Sequence, residues 1–490
     1  MEIIESARPV YAILVSLLAV FLIGASGRNP NLRESWTIIA AVIKFGLVAS
    51  MLPVILEGKE IAYHVATVLP GLDIAFRVDA LGMTLALTAS FLWIITSFYA
   101  IGYMRSLEEH AQTRFFMCFA LALSAAMGAA FSANVFTLFV FYEIITVSTY
   151  ALVAHEETKE AIRGARRYLI YLLGTSVLFF LPAMFLTYSY AGTLDFAASG
   201  ILAGTASKAV ITVIFVLFMA GIAKAGMMPF HLWLPSAMVA PTPVSALLHA
   251  VAVVKVGVFT VVRIVLFVFG VDLLAEIGLG TYLAYFASFT IIAASIIALK
   301  QDNLKLRLAY STVSQLSYIV LAVALLTPSG IMSSIMHITI HAFGKITLFF
   351  VAGAIYVATH KKYISQMNGI GRQMPFTMAA FTVGALSMIA VPPVGGFVSK
   401  WYLTLGAIEA HLIPVLFVII ASTLLNAAYF LPIIYAAFFK KPEDGEAQGM
   451  QEAPAMVVVP LVLTAIGALA LFFWPNLLLD LAQMVVALVV

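Results

Sequence analysis

Charge is what this chain has least of. Lys, Arg, Asp and Glu make up 10% of its 490 residues, against roughly 25% in a soluble domain, and that shortage excludes a soluble globular fold. Cysteine is nearly absent: Cys118 stands alone, which excludes an intrachain disulfide and any thiolate-held zinc or iron–sulfur centre supplied by this chain. The net charge of +3 is too small to bring in nucleic acid. There is no phosphate loop, no Gly-x-Gly-x-x-Gly opening a helix and no metal-ligand spacing. No cofactor and no metal are therefore expected, and no redox centre. The N-terminus, MEIIESARPV, lacks the basic stretch and small-residue cleavage site of a signal peptide, so residues 8–26 are expected to remain as a membrane span.

What fills the chain is apolar: 63% hydrophobic residues at a mean hydropathy of +1.07. Lipid cannot hydrogen-bond a free backbone, so such a chain must be helical or a closed barrel, and the short alternating segments of a barrel are missing. An all-α polytopic membrane protein is expected. Apolar runs of about 20 residues fall near 8–26, 36–56, 79–101, 115–132, 134–154, 167–190, 209–228, 242–269, 277–299, 308–327, 331–358, 376–401, 413–438 and 455–474. A last apolar piece, 476–490, is too short to cross again.

The basic residues test that count. With the N-terminus outside, sixteen of the 26 Lys and Arg fall in cytoplasmic loops and only four (Arg8, Lys59, Arg77 and Lys208) in external ones. The positive-inside rule then predicts an even number of spans with both termini external. The pair Glu156-Glu157 lies in a loop, 155–167, with Lys159, Arg163, Arg166 and Arg167, and reads as a solvated face. The stretch 441–454 reads as a polar linker before the last span.

Six basic residues remain inside spans: Lys44, Lys224, Lys255, Arg263, Lys345 and Lys400. Glu143 is the one acid well inside a span. A charge at the bilayer centre costs roughly 2.5–3.5 kcal/mol on insertion scales, so each needs a reason. Lys44 and Arg263 are expected to snorkel to the headgroups. The others have telling flanks. Lys224 stands in 224-KAGMMPFHLWLP-235, Lys400 after 391-VPPVGGFVS-399; proline and glycine interrupt a helix. Interrupted helices at membrane depth mark the pathway of a transporter, one in each of two related halves. Here the seventh and twelfth spans are interrupted, which divides the chain into 1–114, 115–269, 270–440 and 441–490.

Histidines extend the pattern. His337, His341 and Lys345 recur every four residues in 337-HITIHAFGK-345, one stripe of a helix. His249 and Lys255 share the eighth span but not one face. Histidine titrates near neutral pH, and a lysine removed from water gives up its proton more readily. Glu143 is the natural partner of a buried lysine, Lys224. An acid, neutralisable lysines, histidines and broken helices are the parts of a proton path.

At these residues the sequence resembles the antiporter-like membrane subunits of respiratory complex I, of membrane-bound hydrogenases and of multisubunit Mrp Na⁺/H⁺ antiporters. Segments 224–259, 302-DNLKLRLAYSTVSQLSYI-319 and 337–355 carry the likeness, which extends over about residues 70–440. The resemblance implies fourteen helices with two inverted five-helix repeats, helices four to eight and nine to thirteen. It implies a Glu143–Lys224 pair, a central relay at Lys255 with His249 nearby, a histidine site at His337 and His341, and an exit residue at Lys400, where some members carry glutamate. The lysine there, and the chain length, resemble the D-type Mrp subunit. Expected partners are the other membrane subunits of an Mrp-type or complex I-like assembly, protons, and Na⁺ through the complex, in a prokaryotic inner membrane. A redox-driven pump subunit is the alternative. A purely structural role for the buried charges is the third reading.

Overall fold

A computed structural model describes residues 2–69, 71–442 and 449–490. Among them, twelve helices are long and apolar enough to cross a membrane. They begin with α1 (Arg8–Ala25), α2 (Pro30–Leu56), α3 (Ala80–Ser106), α4 (Gln112–Ala130), α5 (Val135–Val153) and α6 (Lys159–Ala191). After the shorter α7 (Lys208–Gly221) come α8 (Thr242–Phe269), α9 (Leu279–Leu299), α10 (Leu304–Ala324) and α11 (Pro328–Thr359). The twelfth expected span is two helices, α12 (Pro375–Ile389) and α13 (Gly396–Glu409). The set closes with α14 (Ile413–Phe439), α15 (Ala455–Phe473) and the 14-residue α16 (Asn476–Val489).

The ends of these helices obey ordinary local chemistry. Asn29, Asp79, Asn134, Thr158, Ser207, Asn303 and Thr327 each cap a helix N-terminus with a side-chain oxygen, the role those residues favour. Helices alternate in direction, so the bundle has two ends. One carries loops 26–29, 107–111, 154–158, 300–303 and 360–374, and the basic residues gather in these loops and on the helix ends beside them. The other carries a small sheet. In it β1 (Ile3–Glu5) pairs parallel to β2 (Glu60–Leu69), Ile3 opposite Glu60, and β2 pairs antiparallel to β3 (Leu72–Val78), Ile61 opposite Val78. Periodicity of apolar runs found the helices, but the sheet was not foreseen. Its strands are partly polar, with His64, Asp73 and Arg77, and too short to register as spans.

Helix α8 is buried throughout, α11 from Ser329 to Ile355, and α10 from Ser311 to Ala324. They form an inner layer. Outer helices such as α1, α6, α14 and α15 keep exposed apolar faces, for example Phe21, Leu178, Phe417 and Ile466, as lipid-facing surfaces must.

Several expectations need correction. Lys44 does not snorkel: it is fully buried, donating to Leu123 O at 2.9 Å with Trp93 alongside. Arg263 does not snorkel either. Its guanidinium makes a bidentate pair with Asp79 and is surrounded by Phe196, Phe259 and Phe267. In both cases a partner inside the bundle replaces the headgroups. Residues 159–167 are the start of α6, capped by Thr158, and not loop. Glu34 also lies inside a span, since α2 starts at Pro30; it is buried and pairs with Arg33 and Arg105. Part of the expected polar linker, 443–448, lies outside the described residues.

Candidate functional site

The interruption of the seventh span follows from its sequence. Helix α7 stops at Gly221, a single 3-10 turn covers Ala223–Ala225, and regular helix resumes only at Trp233. A backbone carbonyl freed here must find another donor, and Trp233 Nε1 donates to Ala223 O at 2.9 Å. The break packs against α8 at Gly257, where a Cβ would lie 2.3 Å from the Lys224 carbonyl carbon. The twelfth span breaks alike between Ile389 and Gly396, and a Cβ on Gly396 would lie 1.7 Å from Ser387 O. The carbonyls at its edge are also met by side chains. Met388 O accepts from Gln315 Nε2 and Asn426 Nδ2, both at 3.1 Å, and Ile389 O accepts from Lys400 Nζ at 3.3 Å.

Each break therefore carries its lysine into the bundle. Lys224 is fully buried. Its Nζ donates to Tyr142 O at 2.9 Å and Thr146 Oγ1 at 2.6 Å, and lies 3.2 Å from the Tyr142 ring centroid. Glu143 sits beside Tyr142 on α5, yet no ion pair joins it to Lys224 in this state, and both its carboxylate oxygens are buried without a hydrogen-bond partner. Lys400 donates to Thr423 Oγ1 at 3.1 Å and lies over the Tyr318 ring at 4.9 Å.

Between the breaks lies a connected series. Lys255 Nζ on α8 meets His341 Nδ1 on α11 at 2.6 Å. The His341 and His337 rings are 5.7 Å apart, one helical turn. His337 Nδ1 meets Ser399 Oγ at 2.8 Å, and its Nε2 meets Gln315 Oε1 at 3.2 Å. Ser399 is the chain neighbour of Lys400. The stripe on α11 thus reaches from the eighth helix to the second break. Lys345, its third member, turns elsewhere: Nζ donates to Ser311 Oγ at 2.6 Å and Leu308 O at 3.3 Å, with Tyr429 Oη 2.9 Å from the same serine. His249 touches none of these residues. Its ring packs 4.9 Å from Phe349, in a π-helical turn Leu247–Val251, with neither nitrogen hydrogen-bonded. Such turns inside α-helices are frequent at functional sites.

Glu143, His249 and His341 Nε2 are thus polar groups without partners in a buried setting. Each costs about 1–3 kcal/mol. A group placed so can accept or release a proton without first breaking a hydrogen bond. Gln315, Ser311, Ser399, Thr146 and Tyr318 complete the series, and sequence reasoning passed over them. A signal existed: Ser311, Ser314, Gln315 and Tyr318 form a polar stripe on an otherwise apolar run.

At the basic end of the bundle, a cavity of about 960 Å³ is lined by residues that include Glu109, Glu156, Arg163, Arg167 and Lys305. Its wall includes Leu232, Pro235, Ser236, Met238, Val239 and Ala240, which follow the first break. A polar vestibule therefore lies against the stretch that follows the break at Lys224.

A bundle of apolar helices, two of them broken, around a buried series of lysines and histidines defines a class: an ion-translocating membrane subunit. The chain belongs to the NADH:quinone oxidoreductase/Mrp antiporter transmembrane family, whose pattern matches residues 132–426. It is 33% identical over 480 residues to NADH-quinone oxidoreductase subunit N of Desulforudis audaxviator, a match covering 94% of this chain and 95% of the relative. Two solved structures share the fold. A chain of the Mrp complex from Dietzia sp. superposes with a TM-score of 0.88 at 22% identity, over 99% of this chain and 97% of that one. A chain of an archaeal membrane-bound sulfane sulfur reductase superposes with the same TM-score at 24% identity, over 99% and 100%.

Proposed function

We propose that this chain moves protons along the buried series Glu143, Lys224, Lys255, His341, His337 and Lys400, as a subunit of a multisubunit Mrp-type cation/proton antiporter. The buried run from Lys255, hydrogen-bonded to His341, across one helical turn to His337, hydrogen-bonded to Ser399, is the observation that carries the reading. Protons enter from the vestibule beside the first break and leave near Lys400, with His249 and Lys345 as side positions of the relay. Glu143 gates the first step: paired with Lys224 it favours the charged lysine, and separated from it, as here, it lets the proton pass on. Such a pair titrates as a unit.

In this reading the subunit lies in a prokaryotic inner membrane with both termini external and the basic loops cytoplasmic. Residues 115–269 and 270–440 act as two repeats, each built around one broken helix. Na⁺ crosses through the complex. Lysine at position 400 favours the D-type Mrp subunit.

A redox-driven pump is the second reading, favoured by the relative from an NADH-quinone oxidoreductase that matches over nearly its whole length. Co-purified neighbours separate the two, since flavin and iron–sulfur subunits would replace the antiporter assignment. The proton path itself is tested with Lys224→Ala in membrane vesicles holding the assembled complex. Lost proton transport with intact assembly is expected. Retained transport would remove Lys224 from the path, and lost assembly would favour a structural role for the charge.

A further inference from the structure

At the basic end, two loops far apart in sequence bring three metal-ligand side chains together. Loop 107–111, between α3 and α4, supplies Glu109 and His110. Loop 154–158, between α5 and α6, supplies His155. One ligand atom from each lies within 4.8 Å of the other two. Glu109 Oε2 stands 3.9 Å from His110 Nδ1 and 3.9 Å from His155 Nε2, and the two imidazole rings stack at 4.8 Å. The sequence shows only EEH and HEE, with no motif spacing between them.

His155 is the second observation. It is fully buried, and neither ring nitrogen has a hydrogen-bond partner. A buried imidazole ordinarily satisfies at least one nitrogen, and here the unsatisfied Nε2 faces the Glu109 carboxylate. His110 is half-exposed, with 49% of its side chain accessible, so the cluster opens to solvent on one side. Arg114, a neighbouring cation, is already engaged. It donates to Glu157 Oε1 at 2.5 Å and to His155 O at 3.1 Å, so it leaves the imidazole nitrogens free.

We propose that Glu109, His110 and His155 form a binding site for a divalent transition-metal cation, with Zn²⁺ as the best fit. Two imidazoles and one carboxylate with an open fourth position are a zinc ligand set, at roughly 2.0–2.2 Å per bond. The three side chains close on the ion by about an ångström each, a rotamer-scale movement for Glu109 and His110. Imidazole ligation disfavours Mg²⁺ and Ca²⁺, which take oxygen. Glu109 also lines the vestibule, so a bound ion ties the two loops together at its mouth. The function lies outside the proton series: none of the three residues belongs to it.

The test uses the full chain extracted in detergent with its complex, stripped with chelator and titrated with Zn²⁺, and separately with Co²⁺ and Ca²⁺. One Zn²⁺ more per chain is expected in wild type than in the Glu109→Gln/His110→Ala variant. Each single variant should weaken Zn²⁺ binding by roughly 100-fold or more, since even outer-shell changes cost 10–100-fold. Co²⁺ should give the visible absorption of a four-coordinate nitrogen–oxygen site, lost in the same variants. Equal Zn²⁺ uptake in wild type and variants would overturn the site, as would uptake of Ca²⁺ in preference to Zn²⁺. His155→Ala removes a buried ring and can disturb folding, whereas His110→Ala alters a half-exposed side chain and keeps the test decisive.

Discussion

Lys255 on α8 and His341 on α11 share one hydrogen bond of 2.6 Å between Nζ and Nδ1. One of the two atoms must donate and the other accept. With the lysine as donor, His341 holds its proton on Nε2, the nitrogen with no partner. A proton leaving that free nitrogen lets Nδ1 take one from Lys255. The pair is built to transfer in one direction at a time.

It follows that Lys255 and His341 act as a unit. Lys255→Met and His341→Leu should each lower proton transport by on the order of 10²-fold, the lower range for a positioned proton-transfer group. The double variant should be little worse than either one, as groups acting together are not additive. Transport in vesicles, normalised to assembled complex, reads all three. Multiplying losses would mean that the two serve separate steps.

Much of this was legible in the sequence, for physical reasons. A 20-residue apolar run has one use in a membrane protein, so every expected span holds a helix, although the seventh and twelfth are broken and α13 runs on to Glu409. A charge in such a run is costly, so Lys224, Lys255 and Lys400 stood out. What the sequence hid was pairing. Arg263 reads as a snorkelling residue because its partner, Asp79, is far off in the chain, at the cap of α3, and neither stretch marks the pairing. His337 and His341 were visible as a stripe, but that they meet different helices depends on how α8, α10 and α13 pack around α11.

The Asp79–Arg263 pair makes a stability prediction. Removing one partner of a buried ion pair costs about 3–5 kcal/mol, so Asp79→Asn should lower the thermal midpoint well below that of a surface substitution. The pH dependence has a definite sign. Burial alone would raise the Asp79 carboxyl, but Arg263, with the Gly82 N–H, outweighs it and holds the group below its ordinary value. The unfolded chain then binds more protons between the two values. The pair's stabilisation is full above the ordinary aspartate value of about 3.9 and is lost as the pH falls through the lower, folded one. The gap between wild type and Asp79→Asn should narrow on acidification in that window. A gap that widens would contradict the pairing.

Gly257 sets how close the first break comes to α8. With a Cβ 2.3 Å from the Lys224 carbonyl carbon, Gly257→Ala must push the break outward. Overpacking of this kind costs about 1–3 kcal/mol, so the complex should still assemble with a lower thermal midpoint. Lys224 would move off Thr146, and transport should fall as steeply as in Lys224→Ala. A variant that transports normally would show that the position of the break is not critical.

Gln315 fixes the protonation pattern of His337. Its amide orientation is determined by Met388 O, which can only accept, so Nε2 of Gln315 points there at 3.1 Å and Oε1 faces His337 at 3.2 Å. An amide oxygen also only accepts. His337 must therefore carry hydrogen on Nε2, which leaves Nδ1 in the neutral ring to accept from the Ser399 hydroxyl at 2.8 Å. That tautomer aims the basic nitrogen at the residue next to Lys400. Gln315→Met keeps the volume and removes both bonds, so His337 can rotate or switch tautomer. One neutral hydrogen bond is worth about 1 kcal/mol, so proton transport should slow several-fold with assembly intact, and ¹⁵N spectra of labelled histidine should show His337 losing its Nε2–H form. An unchanged tautomer with unchanged transport would mean that packing alone orients the ring.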